Sequence, residues 1–300
     1  MKSIGVLINP TSGKGKGEAA GQKVLAALEQ LGQPFRNLTG GSLQQSRQNA
    51  QDCIASGELS ALLVVGGDGM VHLGANLCGG TEVPLGIIAA GTGNDSSMTM
   101  GLPLTDPAEA ARVAVASLAS PQRIDLIAGS ASLGEFFAFG TVSAGFDALV
   151  NARANQMSWP KGQRRYEVAM VLELLKFKGI HYKAVIDGVE RKISAMLCAV
   201  ANAPSFGGGM LIAPHADLRD GKLDLFIVHK ITRATLLKIF PTVYTGKHVT
   251  HPAVEFVEAQ TVVLDAGNMP VYADGEYVGQ SPVETKVAKQ ALLVLAPSQS

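Results

Sequence analysis

The 300-residue sequence is poor in cysteine and carries no net charge. Cys53, Cys78 and Cys198 are odd in number and form no CxxC pair, so a disulfide framework and a cysteine-rich zinc site are both disfavoured. The 25 basic residues balance 25 acidic ones. Because no global field attracts polyanions, nucleic acid is not an expected partner, and any anion must be bound by a local site.

Long hydrophobic runs are also missing. The apolar segments at residues 61–65 and 195–203 are too short to span a bilayer. The first ten residues have the pattern of a short strand and not of a signal sequence. We therefore expect a cytoplasmic protein whose membrane association is peripheral and transient.

Several familiar catalytic motifs do not occur. The chain has no GxxxxGK[ST], and His72 stands where a third glycine would complete GxGxxG, so a P-loop protein is excluded and a conventional dinucleotide dehydrogenase is disfavoured. The absence of HExxH and GxSxG likewise leaves a zinc hydrolase and an α/β-hydrolase without support.

The first half of the sequence alternates between apolar runs and segments of helical period. This pattern predicts a parallel sheet covered by helices, with strands at 4–8, 35–38, 61–65 and 84–88 and helices at 18–31, 42–56, 70–77 and 107–118. Beyond residue 123, strand-like runs that include 136–142 predict a mostly antiparallel half, interrupted by helices at 164–178 and 233–245. We therefore predict a domain boundary near residue 125, between an α/β domain at 1–125 and a β-rich domain at 126–287.

Three glycine-rich loops, at residues 9–17, 66–69 and 91–95, each follow an apolar strand of the first half. In a parallel sheet they would share the carboxyl edge, where ligands bind. Glycine lets backbone N–H groups approach an anion closely, and Lys14 and Lys16 add positive charge. We favour a phosphate site over the alternative that these glycines only form tight strand-to-helix turns.

Acidic residues extend this hypothesis. Asp68 lies inside the second glycine loop, and a carboxylate beside phosphate groups indicates an intervening cation such as Mg²⁺, although Asp is also a good helix cap. Asp217 and Asp220 lie in a polar loop that could gather hard oxygen ligands, although most Asp-Gly pairs are only turns. By itself, the segment 274–276 predicts a hairpin turn. Trp159 and the basic segment 160–165 could touch lipid head groups, but a solvated loop is the favoured interpretation.

Six segments, in chain order, resemble the diacylglycerol kinase catalytic-domain family, in its branch of bacterial soluble lipid kinases. They are residues 8–13, 65–69, 85–95, 143–147, 214–225 and 274–276. The resemblance implies a Rossmann-like or phosphofructokinase-like nucleotide-binding domain at 1–125, completed by about 288–300. It also implies a β-sandwich-like domain for the lipid substrate and a metal at 126–287. It also implies an ATP- and Mg²⁺-dependent kinase that phosphorylates the hydroxyl of diacylglycerol or a related lipid in phospholipid metabolism. The expected partners are a lipid substrate at the membrane surface and a second copy of the chain.

The resemblance implies roles for matching residues. Glu276 would be the general base that takes the proton from the lipid hydroxyl, and Asp68 would work beside it near the nucleotide's Mg²⁺. The ATP site would be lined by Asn9, Pro10, Thr11, Ser12, Gly13, Thr39, Gly66, Gly67, Asp68, Gly69, Met70, Val71, His72 and Thr92. A second, structural Mg²⁺ would be held by Asp217, Asp220 and Lys222, the first and last through backbone carbonyls, and Asp125 would join a water network near it.

The chain departs from the family pattern after its GGDG segment. Met70 replaces a common Thr and Leu73 replaces a common Glu, so nucleotide contacts at residue 70 must come from the backbone. Two alternatives follow. A kinase of a soluble substrate such as NAD is compatible with the Asn94-Asp95 pair, although the match through Asp220 and Glu276 argues against it. A catalytically inactive nucleotide- or lipid-binding regulator would explain the departures.

Overall fold

The computed structural model describes residues 2–160, 165, 168, 169, 172, 173 and 179–297, without the side chains of residues 146–148 and 151. The helix predicted at 164–178 and the basic segment at 160–165 therefore lie largely outside the described residues. The chain divides into two compact units, Met1–Leu126 with Lys289–Ser300, and Ile127–Ala288. Within the described part of the chain, no helix is both long and apolar enough to cross a membrane.

The first unit contains a parallel sheet in which, numbered along the chain, the second strand is followed by the first, third and fourth. Val294, at the end of the strand Val283–Val294, pairs in parallel with Leu85 of the fourth strand. Its elements are β1 (Ser3–Ile8), α1 (Ser12–Gln30), β2 (Phe35–Asn37), α2 (Leu43–Ala55), β3 (Leu59–Gly66), α3 (Asp68–Cys78), β4 (Leu85–Ala89), α4 (Asp95–Thr99), α5 (Pro107–Ala116) and a 3₁₀ turn (Ser117–Ala119). β1 and β4 are buried along their whole length, as expected for strands covered on both faces.

Local signals account for where these helices begin. The Ser42 hydroxyl accepts a hydrogen bond from the Gln45 N–H at 3.1 Å and caps α2. Asp106 caps α5 in the same way, and Pro107 occupies the first helical position. The short helix α4 was not predicted, because its five residues carry no helical periodicity.

The second unit is largely antiparallel. Its pairing runs β14-β13-β7-β9-β8-β12-β15, with β10 between β9 and β11, and β5 paired with β6. Its elements are β5 (Gln122–Ala131), β6 (Gly134–Ala138), β7 (Thr141–Ser143), α6 (Phe146–Gln156), β8 (Ile180–Ile186), β9 (Val189–Ala201), β10 (Leu223–His229), α7 (Arg233–Ile239), 3₁₀ helices at Phe240–Thr245 and Lys247–Thr250, β11 (Val254–Ala259), β12 (Thr261–Asp265), β13 (Pro270–Ala273), β14 (Glu276–Gln280) and β15 (Val283–Val294). The unit boundaries fall within β5 and β15.

The predicted fold class, a parallel α/β half followed by a strand-rich half, is confirmed. The single strand predicted at 136–142 is wrong, because the chain breaks between β6 and β7 where Phe139 and Gly140 donate their N–H groups to Asp274. The helix predicted at 233–245 continues as a 3₁₀ helix after Ile239, since Pro241 has no N–H to donate. Helix α6 and strand β11 were not predicted.

Candidate functional site

The three glycine loops of the first unit lie against one another at the carboxyl ends of β1, β3 and β4. A Cβ atom placed on Gly91 would lie 2.4 Å from the Cα of Gly67, and one placed on Gly13 would lie 2.4 Å from the carbonyl oxygen of Ala90. Any side chain at Gly91 or Gly13 would therefore displace backbone. The glycines allow three chain segments to approach one another, which creates a region rich in exposed backbone groups.

The first loop has an unusual backbone at the start of α1. Gly13, Lys14 and Gly15 all have positive φ, at 56°, 63° and 89°, and helical geometry resumes after them. Such a switch between left- and right-handed residues gathers successive N–H groups around a concavity that suits an anion. The Asn9 side chain stabilises the loop, because its Oδ1 accepts from the N–H of Thr11 at 3.1 Å and from its hydroxyl at 2.8 Å.

Asp68 links the second loop to the third. Its Oδ1 accepts hydrogen bonds from the backbone N–H and the hydroxyl of Ser96, both at 3.1 Å. The N-cap of its own helix α3 is Gly67, and both of these bonds to Asp68 come from outside that helix. The half-buried carboxylate is thus held in one position within the glycine loops, which is what a group near a nucleotide-bound cation requires.

The third loop depends on Asn94, which has a left-handed backbone with φ of 60°. Its Oδ1 accepts from the Gly91 N–H at 2.9 Å and its Nδ2 donates to the Gly91 carbonyl at 3.2 Å. Asp95, beside it, is only 6% exposed. Asn94 and Ser96 position the loops but were absent from the predicted nucleotide site. The sequence signal for Asn94 was an asparagine directly after Gly-Thr-Gly, because asparagine tolerates the left-handed backbone of a turn and bonds its own backbone there.

The remaining residues predicted for the nucleotide site differ in how deeply they are buried. Met70 and Val71 are buried, so a ligand outside the core could meet only their backbone. Thr39 is half-buried, and its hydroxyl accepts from the Ile8 N–H at 2.9 Å at the end of β1. Pro10, Thr11, Gly69 and Thr92 are exposed, whereas His72 is half-buried with its Nε2 3.3 Å from Asn76 Nδ2.

Asp125, predicted to join a water network near the second metal, is buried, and its Oδ1 accepts from the Gln290 N–H at 2.7 Å.

The predicted metal loop of the second unit is compact and exposed. Asp217 Oδ1 accepts from the Arg219 N–H at 3.0 Å, and Asp220 Oδ1 accepts from the Lys222 N–H at 2.9 Å. Carboxylate and carbonyl oxygens are the donors that Mg²⁺ prefers. Within the described residues, no group of three or more His, Cys, Asp or Glu side chains could hold a metal. The two carboxylates therefore fit Mg²⁺ only together with backbone carbonyls.

Two ion pairs brace this loop. The Lys222 ammonium lies 2.5 Å from Glu258 Oε2, and this contact raises the pKa of Lys222 and lowers the pKa of Glu258. His215 Nε2 lies 3.0 Å from Asp224 Oδ1. Burial raises the pKa of Asp224, and the nearby imidazole opposes that shift. Neither His215 nor Glu258 was predicted as a site residue. Glu258 is 36 residues from Lys222, so no local pattern links them, whereas His215 lies in the matched segment 214–225 and could have been singled out.

Glu276 begins β14 immediately after a two-residue hairpin turn, as predicted. Asp274 and Gly275 both have positive φ, at 50° and 87°, which is the geometry of a type I′ turn. The Asp274 carboxylate accepts from the N–H groups of Phe139 at 2.8 Å through Oδ2, and of Gly140 and Thr141 at 2.8 and 3.1 Å through Oδ1. The exposed Glu276 is thus carried by a turn fixed to the rest of the unit.

The two halves of the chain match two family models. Residues 3–128 match the diacylglycerol kinase catalytic domain, and residues 140–296 match the YegS C-terminal NAD kinase beta sandwich-like domain. Diacylglycerol kinase from two strains of Mycobacterium tuberculosis is 38% identical over 98% of this chain and 95% of that protein. A probable YegS-like lipid kinase of Chromohalobacter salexigens is 27% identical over 81% of this chain and 78% of its own length.

A solved structure agrees with the fold. A putative diacylglycerol kinase from Bacillus anthracis superposes with a TM-score of 0.77 over 99% of this chain and 97% of its own, at 22% identity. The structural match therefore covers both units of the chain. The catalytic-domain model matches the half that contains the glycine loops, and the sandwich-like model matches the half that contains the Asp274–Glu276 hairpin. The resemblance inferred from the motifs is confirmed, and the chain is a kinase of the diacylglycerol kinase family.

Proposed function

We propose that this kinase transfers the γ-phosphate of ATP to the hydroxyl of diacylglycerol or a related lipid at a membrane surface. The observation that carries the proposal is the convergence of three glycine loops around Asp68, which offers backbone N–H groups and positive charge to a polyphosphate. The M. tuberculosis relatives that align along 98% of the chain are named diacylglycerol kinases, which supports the same substrate class.

In the proposed reaction, the lipid oxygen forms a bond to the γ-phosphorus while the bond to the bridging oxygen breaks and ADP leaves. Glu276 takes the hydroxyl proton, for which its exposed carboxylate is accessible. Mg²⁺ would neutralise charge on the phosphates. The loop backbones at Gly13 and Gly67 would orient the phosphates. Positioning and charge neutralisation are the main contributions of a protein to phosphoryl transfer.

A second Mg²⁺ at Asp217 and Asp220 is part of the proposal. The two exposed carboxylates and the carbonyls of their loop supply hard oxygen donors. Its role would be structural, holding the loop between β9 and β10 in one conformation. The ion pair of Lys222 with Glu258 leaves the Lys222 carbonyl available, since it engages only the side chain.

Two observations weigh against the alternatives. The side chain of Met70 is buried, so replacing a hydroxyl there leaves the loop backbone of an active kinase in place. Asn94 forms hydrogen bonds with Gly91, and Asp95 is buried. The pair that suggested NAD as a substrate is therefore poorly placed to contact a bound ligand.

A transfer assay with radiolabelled ATP against a panel of lipids and NAD tests the proposal. We expect label in diacylglycerol or a related lipid, and a decrease of roughly 100-fold or more in kcat for Glu276→Gln, the scale of lost general-base catalysis. Because Glu276 is exposed, this variant should unfold like the wild type. Label in NAD alone, or nucleotide binding without any transfer, would rule the lipid-kinase proposal out.

A further inference from the structure

The helical segment that follows β10 has apolar residues on two sides. It comprises α7 (Arg233–Ile239) and the 3₁₀ helix (Phe240–Thr245), which continue directly into one another. On its inner side, Leu236 and Val243 pack against a buried cluster that includes Phe226, and Ile239 is 8% exposed. This side is the ordinary core-facing stripe of a surface helix.

The outer side should be polar in such a helix, and it is not. Ala234, Leu237, Pro241 and Tyr244 are all exposed and are spaced by three, four and three residues, so they share one side of the segment. Leu237 is 47% exposed and Tyr244 is 37% exposed. Single exposed apolar residues are common, but an aligned row of them indicates a surface that meets something apolar.

Along the chain, the charged residues next to this row are all of one sign. Between Asp224 and Glu255 the sequence has no acidic residue and four basic ones, Lys230, Arg233, Lys238 and Lys247. All four are exposed. Among the ion pairs found in the described parts of the chain, none involves the three lysines of this segment. The segment therefore combines an apolar row with three exposed lysines, Lys230, Lys238 and Lys247, for which the described residues show no ion pair.

We propose that this docking face, formed by Ala234, Leu237, Pro241 and Tyr244 with Lys230, Lys238 and Lys247, lies on the surface of an anionic lipid bilayer. The apolar row would enter the boundary between head groups and acyl chains, and the lysines would meet anionic head groups. A tyrosine suits this depth because its ring is apolar and its hydroxyl is polar. Two copies of the chain would bring like charges together at this face, which disfavours self-association there.

Cosedimentation with vesicles, without nucleotide, tests the docking face independently of phosphoryl transfer. The probes are vesicles of equal parts phosphatidylglycerol and phosphatidylcholine, and vesicles of phosphatidylcholine alone. The wild type should bind the anionic vesicles and be released by salt. Each lysine contributes roughly fivefold in affinity, so Lys238→Gln with Lys247→Gln should weaken binding more than about tenfold. Leu237→Ser with Tyr244→Ser should weaken it on a similar scale.

Matched controls come from the same unit. Leu133 is 69% exposed and Lys192 is exposed, and neither belongs to the docking face. Leu133→Ser and Lys192→Gln should bind vesicles like the wild type. Equal binding by the docking-face variants and these controls would overturn the proposal, as would equal binding to both kinds of vesicle.

Two further measurements separate the remaining explanations. Analytical ultracentrifugation should give the same mass for wild type and Leu237→Ser with Tyr244→Ser. If this change instead dissolves a dimer, the face binds a second copy and the bilayer proposal is wrong. Transfer to a short-chain diacylglycerol in detergent should be unchanged in the docking-face variants, because that assay requires no bilayer. Docking-face variants that lose vesicle binding but retain transfer would support the docking face. A wild type that transfers no phosphate to this lipid would contradict the proposed function and not the docking face.

Discussion

Replacing Asp274 with asparagine should damage the turn that carries Glu276. The carboxylate uses both oxygens, with Oδ2 accepting from the Phe139 N–H at 2.8 Å and Oδ1 accepting from Gly140 and Thr141. An asparagine keeps one acceptor oxygen but presents an amide donor in place of the other. In Asp274→Asn, the Phe139 N–H therefore loses its acceptor and the two remaining bonds lose their charge assistance.

The expected loss of stability follows from burial. Phe139 is only 1% exposed, so water cannot replace the lost acceptor for its N–H. A hydrogen bond to a charged group contributes about 1.5–3 kcal/mol, and a buried donor left unpaired costs a similar amount. We expect the free energy of unfolding of Asp274→Asn to fall by about 2–3 kcal/mol.

The chain contains a matched control turn. Asp187 and Gly188 join β8 to β9 with the same positive φ values, 47° and 83°. Asp187 accepts from the Gln260 N–H and from the N–H and hydroxyl of Thr261, but all three bonds end on Oδ1. An asparagine can keep all three and tolerates positive φ. Asp187→Asn should therefore cost less than about 1 kcal/mol at this exposed site.

Urea unfolding followed by circular dichroism measures both variants, and steady-state transfer assays give kcat and the KM for ATP. Asp274→Asn should lower kcat well beyond Asp187→Asn, while its KM for ATP stays close to that of the wild type. Equal losses of stability in the two variants would refute the argument, because only at Asp274 does a second carboxylate oxygen serve a buried N–H, that of Phe139. An unchanged kcat in Asp274→Asn would show that the turn does not position Glu276.

Three further predictions concern the remaining contacts. Gly91→Ala should abolish nucleotide binding measured by calorimetry, because its Cβ would lie 2.4 Å from the neighbouring loop, whereas Gly41→Ala meets nothing within 4 Å and should bind normally. Burial lowers the pKa of His248 from 6.5, so below pH 6.5 the unfolded chain takes up a proton first and the free energy of unfolding falls. His248→Gln should flatten that dependence in urea titrations between pH 5 and pH 7. Burial raises the pKa of the Cys78 thiol to about 12, so a thiol reagent should modify the half-buried Cys53 long before Cys78, and equal rates would contradict this burial.

Much of the architecture follows from local pattern. Apart from the short helix α4, the alternation of apolar runs with helical periods predicted the strands and helices of the first unit to within a few residues, because sheet and helix periodicity act over short stretches. The helix at 18–31 is present, and the positive φ at Gly13 to Gly15 explains why its regular part starts late. The order of the glycine and Asp-Gly segments was enough to identify the family, since each segment has a recognisable composition.

Local pattern failed where distant segments decide the outcome. The break at Phe139 and Gly140 is imposed by Asp274, about 135 residues further on, so no window around residue 140 could reveal it. The contacts of Asp68 with Ser96 and of Lys222 with Glu258 also required the folded chain.

By itself, the sequence determined the element types, the two-part organisation and the kinship with lipid kinases, because those depend on periodicity and on the order of short motifs. Only the tertiary structure decided which glycines lie against the backbone of a neighbouring loop and which carboxylate oxygen accepts from which N–H. It also decided which apolar side chains stay exposed to solvent. The row at Leu237, Pro241 and Tyr244 makes the difference plain. In sequence it belongs to a predicted helix at 233–245 with apolar residues on two sides, and only the packing of the opposite side against the core leaves this row facing outward.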